Sequence, residues 1–106
     1  MKFGTKIIHG YNMIDESTGA SSISICQAST FHQNDIDDDQ KYIYSRFGNP
    51  TREALEEAIA TLEKGKYGLA FSSGMAAITA VLLSFSQGDH LVMCKDVYGE
   101  AFQLVM

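Results

Sequence analysis

The sequence predicts an α/β fold with parallel strands, and the prediction rests on element order and on one helix. From Pro50 onward the elements read helix, strand, helix, strand, helix. The middle helix, Met75 to Phe85, has the length of a crossover between parallel strands, a connection that is almost always right-handed. It also carries Ala, Ile, Val and Leu on nearly all sides, the mark of a helix buried in a larger protein.

The first half, Met1 to Phe47, has no sustained helical period. Gly4, Gly10, Gly19, Ser21-Ser22 and the Asn34–Gln40 stretch interrupt it. Short β-type pieces occur at Ile23–Ile25 and Tyr42–Tyr44. This half cannot close a core of its own. It is expected either to be disordered or to lie on another surface, such as a partner subunit. The acidic run Asp35 to Asp39 is expected to be a solvated loop.

The second half is regular. Asn49-Pro50 predicts a helix start, because asparagine caps and proline fits the first helical position, where no amide donor is needed. Leu55, Ala58, Ile59 and Leu62 then share one face, and Glu53, Glu56, Glu57 and Glu63 take the other. Gly65 is the expected C-terminal stop, which gives an amphipathic helix over Pro50 to Lys64. Tyr67 to Ser72 and His90 to Cys94 are short apolar runs with the character of buried strands. Gln87-Gly88-Asp89 ends the helix between them, and Gly99 to Met106 opens a further helix. Two parallel strands are not a stable sheet, and a helix apolar all round needs cover. The chain is therefore expected to be a piece of a bigger α/β protein, cut after Met106.

Bulk properties narrow the function. A chain of 106 residues with 45% apolar content supports one small domain. The formal net charge is −5, and the absence of any Lys/Arg run argues against nucleic acid and anionic membrane surfaces as partners. Cys26 and Cys94 have neither metal nor redox spacing, so no metal site is expected. Only Ile7 and Ile8 follow the first lysines before His9, which is not a secretory leader, and Met75 to Phe85 falls far short of the roughly 20 residues that span a bilayer. A reduced, cytoplasmic protein is expected.

Three segments carry candidate chemistry. Ser72-Ser73-Gly74-Met75 follows a strand and opens a helix. Free amides at a helix N-terminus, with the dipole behind them, suit a phosphate; Gly74 lets it approach and the serine hydroxyls add donors. The same turn also suits ordinary capping. It is neither a G-x-G-x-x-G nor a Walker fingerprint. Tyr98-Gly99 follows the second predicted strand, so Tyr98 and Gly74 share the carboxyl edge where open α/β sheets bind ligands. There Tyr98 either lays its ring on a flat aromatic ligand or fills core beneath the next helix. Tyr44-Ser45-Arg46 precedes the Asn49-Pro50 start. Arg46 either grips a phosphate with its fork of donors, helped by the Tyr44 hydroxyl, or sits in solvent.

Taken together, these segments resemble the pyridoxal-phosphate enzymes of cysteine and methionine metabolism: cystathionine γ-synthase, cystathionine β- and γ-lyases, methionine γ-lyase and the homoserine-ester sulfhydrylases. The resemblance runs from about Thr5 to the end. It is carried by Thr5, His9, Gly10, Asp15, Thr18-Gly19-Ala20, Ser29-Thr30-Phe31, Tyr44-Ser45-Arg46 with Asn49-Pro50-Thr51, Ser72-Ser73-Gly74-Met75-Ala76-Ala77 and Asp96-Val97-Tyr98-Gly99.

The resemblance implies the start of a fold-type-I, aspartate-aminotransferase-like large domain over residues 48–106, preceded by an extended N-terminal arm over 1–47 that packs on a neighbouring subunit. It implies pyridoxal 5′-phosphate as cofactor, a small amino-acid substrate and a homotetramer of this protein's own subunits. The reaction would be elimination or replacement on cystathionine, cysteine, homocysteine or a homoserine ester. Ser73, Gly74 and Met75 would hold the cofactor phosphate, and Tyr98 would stack on its ring and assist proton transfer. Tyr44 and Arg46 would reach the phosphate in the neighbouring subunit. The Schiff-base lysine, the aspartate for the pyridine nitrogen and the arginine for the substrate carboxylate would follow Met106; Lys95 does not match that lysine, and the chain alone would be inactive. Glu100 departs from the family's usual glycine or cysteine, and the lack of that cysteine argues against a methionine γ-lyase. Ser24 and Ala28 replace a common proline and threonine. Two other classes compete with the enzyme: a non-catalytic assembly piece that binds a full-length subunit, and another phosphate-binding α/β protein.

Overall fold

The computed structural model describes residues 2–9, 14–36 and 39–106. Gly10 of the family-like opening and Asp37 and Asp38 of the acidic run lie outside the described residues. The chain divides into two compact units, Met1–Leu69 and Ala70–Met106. Among the described residues the regular elements are α1 (Phe3–His9), α2 (Pro50–Glu63), α3 (Gly74–Leu82) and α4 (Gly99–Val105).

In the first unit, α2 is the organising element. Asn49 is its N-cap, with extended backbone and a side-chain oxygen that accepts from the Thr51 amide at 2.9 Å, and Pro50 occupies the first turn. The predicted start is thus the observed one. At the other end the left-handed residue is Lys64, at φ 57°, rather than Gly65. The Lys64 and Gly65 amides both donate to the Ala60 carbonyl, so the terminus closes one residue early. Ala58 and Ala60 of α2 are buried, at 7% and 9% exposure. The chain returns along this face closely enough that a Cβ on Gly68 would sit 2.3 Å from the Glu56 carbonyl oxygen.

The segment before α2 contains a helix that periodicity does not reveal. α1 is seven residues long, contains Gly4, and contacts α2. Two turns are too few for a repeat to show, and short helices owe their stability to packing rather than propensity. Lys6 and His9 in its last turn complement the helix dipole. Asp15 and Ala20 form an isolated antiparallel bridge closing a turn. The Asp15 carboxylate accepts hydrogen bonds from the side chain of Ser17, the side chain of Ser24 and the Ser17 amide, which hold its pKa down to about 2. A second bridge pairs Thr30 with Tyr44, flanked by Phe31 N–H to Ile43 O at 3.0 Å and Ser45 N–H to Ser29 O at 2.8 Å. The β-type piece at Tyr42–Tyr44 therefore pairs at one point, whereas Ile23–Ile25 does not pair.

In the second unit, α3 begins at Gly74 and ends at Leu82, inside the predicted span at its C-terminal end. Beyond it the Ser84 and Phe85 amides donate three residues back, to Val81 and Leu82, so the chain tightens out of the helix. Ser86 and Asp89 close the turn at Gln87-Gly88-Asp89. α4 contacts α3 and buries Ala101 to 4% exposure.

The predicted strands require correction. Among the described residues, neither Tyr67–Ser72 nor His90–Cys94 joins a ladder. Leu69 is 75% exposed and Val92 85% exposed. An apolar run specifies that a segment is to be covered, but a strand exists only through its hydrogen-bonded neighbours, and sheets need three or more strands to be stable.

Two substitutions test this description. Lys64→Gly is expected to stabilise the protein by about 0.5–1 kcal/mol, because a left-handed non-glycine residue costs roughly 1–2 kcal/mol and glycine's greater unfolded entropy returns part of it. Gly68→Ala is expected to destabilise it by about 1–3 kcal/mol, since the new methyl meets backbone that must shift. Denaturant midpoints measure both.

Candidate functional site

The candidate residues fall in both units. Tyr44 and Arg46 belong to the first; Ser73, Gly74, Met75 and Tyr98 belong to the second.

Tyr44 and Arg46 sit on a turn closed by the Phe47 and Gly48 amides, which donate to the Tyr44 carbonyl at 2.9 and 3.1 Å. The turn is fastened on three sides. Ser45 Oγ donates to the Ala28 carbonyl. Asn49 Nδ2 donates to Ser45 Oγ at 3.0 Å and to the Cys26 carbonyl at 3.2 Å. Arg52, in the first turn of α2, donates from one terminal nitrogen to Ser45 O and from the other to Phe47 O, both at 3.1 Å. The structure thus brings the two predicted residues together: the Arg46 guanidinium lies over the Tyr44 ring at 5.2 Å, and Phe47 meets that ring edge-on at 6.4 Å.

Electrostatics single out Arg46. Lys41 pairs with Glu53 at 2.8 Å, and Arg52 Nε approaches Glu56 at 3.6 Å. Among the described residues Arg46 has no carboxylate partner, and it is exposed. Tyr42 OH also donates to Glu53, tying the segment before the turn to α2. Burial pushes the Glu53 carboxyl up, but hydrogen bonds from Lys41 and Tyr42 outweigh it and leave the group below the ordinary glutamate range. The hydrogen bond to Glu53 holds Lys41 above its ordinary value.

In the second unit, Ser73 is the N-cap of α3, with φ −153° and ψ 157°, and its Oγ accepts from the Ala76 amide at 3.1 Å. The hydroxyl is used there as an acceptor, so its proton remains a donor. The amides of Gly74 and Met75 lie in the first turn, where a helix supplies no partner. A Cβ built on Gly74 would meet nothing within 4 Å, so the approach to these amides is open. Tyr98 stands at the N-cap position of α4 without a side-chain capping bond, and is 62% exposed. Among the described residues no hydrogen bond or ring contact links Tyr98 to Ser73–Met75.

Within the second unit, the open, capped start of α3 has the chemistry to receive a phosphate group, and Tyr98 has a ring face without a partner among the described residues. Among the described residues no three His, Cys, Asp or Glu side chains group to hold a metal, and no helix is long and apolar enough to cross a membrane.

The family model described as "Cys/Met metabolism PLP-dependent enzyme" matches residues 4–106. The chain belongs to that family. It is 56% identical over 101 residues to a cystathionine β-lyase of Lactococcus lactis subsp. cremoris, covering 95% of this chain and 27% of that protein. It is 50% identical over 105 residues to a cystathionine γ-lyase of Bacillus subtilis, covering 99% of this chain and 28% of that one. The crystal structure of cystathionine γ-lyase from Lactobacillus plantarum, complexed with L-serine, superposes with a TM-score of 0.89 at 53% identity, over 99% of this chain and 27% of that chain. The chain therefore spans about a quarter of the length of these relatives and has the fold of that portion of the fold-type-I enzymes.

Arg52 escaped the sequence analysis, although a signal was present. A cation in a helix's first turn opposes the dipole and is favoured there only when it serves something else. Tyr42 and Glu53, eleven residues apart, left no comparable sign.

The depressed Glu53 value has a pH consequence. A carboxyl whose folded pKa lies below its unfolded value contributes stability that is complete above the unfolded value, about 4.3, and is lost as pH falls through the folded one. Denaturant midpoints followed from about pH 6 down to about pH 3 are expected to drop more steeply in the wild type than in Glu53→Gln.

Proposed function

We propose that the chain is the N-terminal part of a pyridoxal-phosphate enzyme that eliminates across a carbon–sulfur bond of a cystathionine-type amino acid. The observation that carries the proposal is the Ser73-capped start of α3, open at Gly74 and presenting first-turn amides, in a chain that matches cystathionine lyases throughout. Ser73 Oγ, with the Gly74 and Met75 amides, would hold the cofactor phosphate, using the helix dipole. Tyr98 would offer its ring face to the pyridine and its phenol as a proton carrier near the substrate. The cofactor, when bound, supplies an electron sink for negative charge at the substrate α-carbon.

Tyr44 and Arg46 complete the proposal from another copy of the protein. Arg46 offers a planar fork of donors suited to phosphate oxygens. Its stacking on Tyr44 fixes one side of the guanidinium and leaves its edge for an anion. Residues 1–47 would serve as an arm crossing to a neighbouring subunit and residues 48–106 as the first part of the cofactor domain. The weak internal burial of the arm supports this: among its described residues none is fully buried. A homotetramer in the cytoplasm is the assembly proposed, with elimination preferred over transfer because the relatives above 50% identity are named as lyases.

The full-length protein carrying this chain tests the proposal. Purified with pyridoxal phosphate and given cystathionine, it is expected to release ammonia and a 2-oxo acid. Pyruvate with homocysteine marks cleavage on the β side, and 2-oxobutanoate with cysteine the γ side. Absence of both 2-oxo acids from cofactor-loaded protein would overturn the lyase assignment.

A further inference from the structure

Arg52 occupies an unusual position for a helix cation. It lies in the first turn of α2, where the dipole disfavours positive charge. Its two terminal nitrogens reach the carbonyls of Ser45 and Phe47, the residues on either side of Arg46, and both distances are 3.1 Å. Its Nε faces Glu56, one helical turn on, at 3.6 Å. The guanidinium therefore uses all of its edges: the fork clamps the backbone around Arg46, and the remaining nitrogen faces a carboxylate of the same helix.

We propose that Arg52 is the positioning residue for Arg46: by holding both flanking carbonyls it sets the direction in which the Arg46 guanidinium leaves the turn, and hence its grip on the cofactor phosphate. The proposal rests on the phosphate role given to Arg46 above. Among the described residues Arg46 itself meets the face of Tyr44, with its guanidinium carbon 5.2 Å from the ring centroid, a contact that does not hold the backbone that carries it. Two carbonyls separated by one residue can be bridged by a planar fork and not by a point charge. Arg52 also adds positive charge behind the turn, partly cancelled by Glu56, so its contribution to phosphate affinity is chiefly geometric.

The test is a double-mutant cycle on pyridoxal-phosphate affinity in the full-length protein, with cofactor removed and titrated back. Arg46→Ala and Arg52→Ala are each expected to raise the dissociation constant about tenfold, the scale of one hydrogen bond made by a charged group. In the Arg46→Ala background, Arg52→Ala is expected to add less than about twofold, because its effect passes through Arg46. Arg52→Lys, which keeps the charge and guards against a folding failure of the alanine variant, is expected to melt with the wild-type apoprotein yet bind cofactor as weakly as Arg52→Ala. At saturating cofactor, kcat is expected to stay within about twofold of wild type, since Arg52 touches no reacting atom. An Arg46→Ala protein with unchanged affinity would overturn the phosphate role itself. An Arg46→Ala effect accompanied by unchanged affinity in both Arg52 variants, or a full tenfold Arg52 effect persisting without Arg46, would overturn the positioning role alone.

Discussion

One side-chain amide holds the first unit together. Asn49 caps α2 through its oxygen, and through its nitrogen it reaches Cys26 O and Ser45 Oγ. Thr51, two residues on, accepts from the Cys26 amide at 2.8 Å and donates to Ser24 O at 3.2 Å. The start of a single helix thus fixes the 24–28 segment and the Tyr44–Gly48 turn at once. Polar pins carry this load because apolar burial is scarce: in this unit only Ala58 and Ala60 are buried among the described residues. Each such bond contributes about 1 kcal/mol net, and a cap about as much, so several converging on one turn are needed to order it.

The two well-formed helix starts solve the same problem in opposite ways. At α2 most of the first-turn donors are absent or occupied: Pro50 has none, the Thr51 amide is capped, and the Glu53 amide reaches Asn49 O at 2.9 Å. At α3 Ser73 satisfies the Ala76 amide and Ala77 reaches Ser73 O, while Gly74 and Met75 lie ahead of those bonds with open space before Gly74. One terminus is built to hold a loop and the other is left receptive to an anion. Both begin with a good capping residue, so cap chemistry alone does not tell them apart. The first two helical residues do: proline and a capped threonine at α2, glycine and methionine with free amides at α3.

That distinction shows how much was legible beforehand. Asn49-Pro50 located the start of α2 to the residue, because a cap and a proline act within a few bonds of where they sit. The Ser72–Met75 turn marked the start of α3 to within one residue, whereas its end at Leu82 fell short of the expected Phe85; Tyr44, Arg46 and Tyr98 were named through the family resemblance. Strand pairing was not legible in Tyr67–Ser72 or His90–Cys94, since those runs report a demand for cover and not the identity of the partner. α1 was too short for its period to register. Arg52 acts on the backbone carbonyls of Ser45 and Phe47, which every residue possesses, so its place in the first turn of α2 hinted at a role without naming its partners.

Local pairing explains how a chain of net −5 can still present a guanidinium without a carboxylate partner among the described residues. Beyond about 8 Å the ionic atmosphere screens exposed charge, so the overall sign matters less than the neighbours of each cation. Around the turn, Lys41 is committed to Glu53 and Arg52 to Glu56 and two carbonyls. Those commitments offset the charge of both carboxylates. The group left projecting is a guanidinium whose partner is an aromatic face, an interaction that orients it without consuming its in-plane donors. Glu53 and Glu56 of α2 therefore hold Lys41 and Arg52 in structural roles, and the guanidinium without a carboxylate partner among the described residues is that of Arg46.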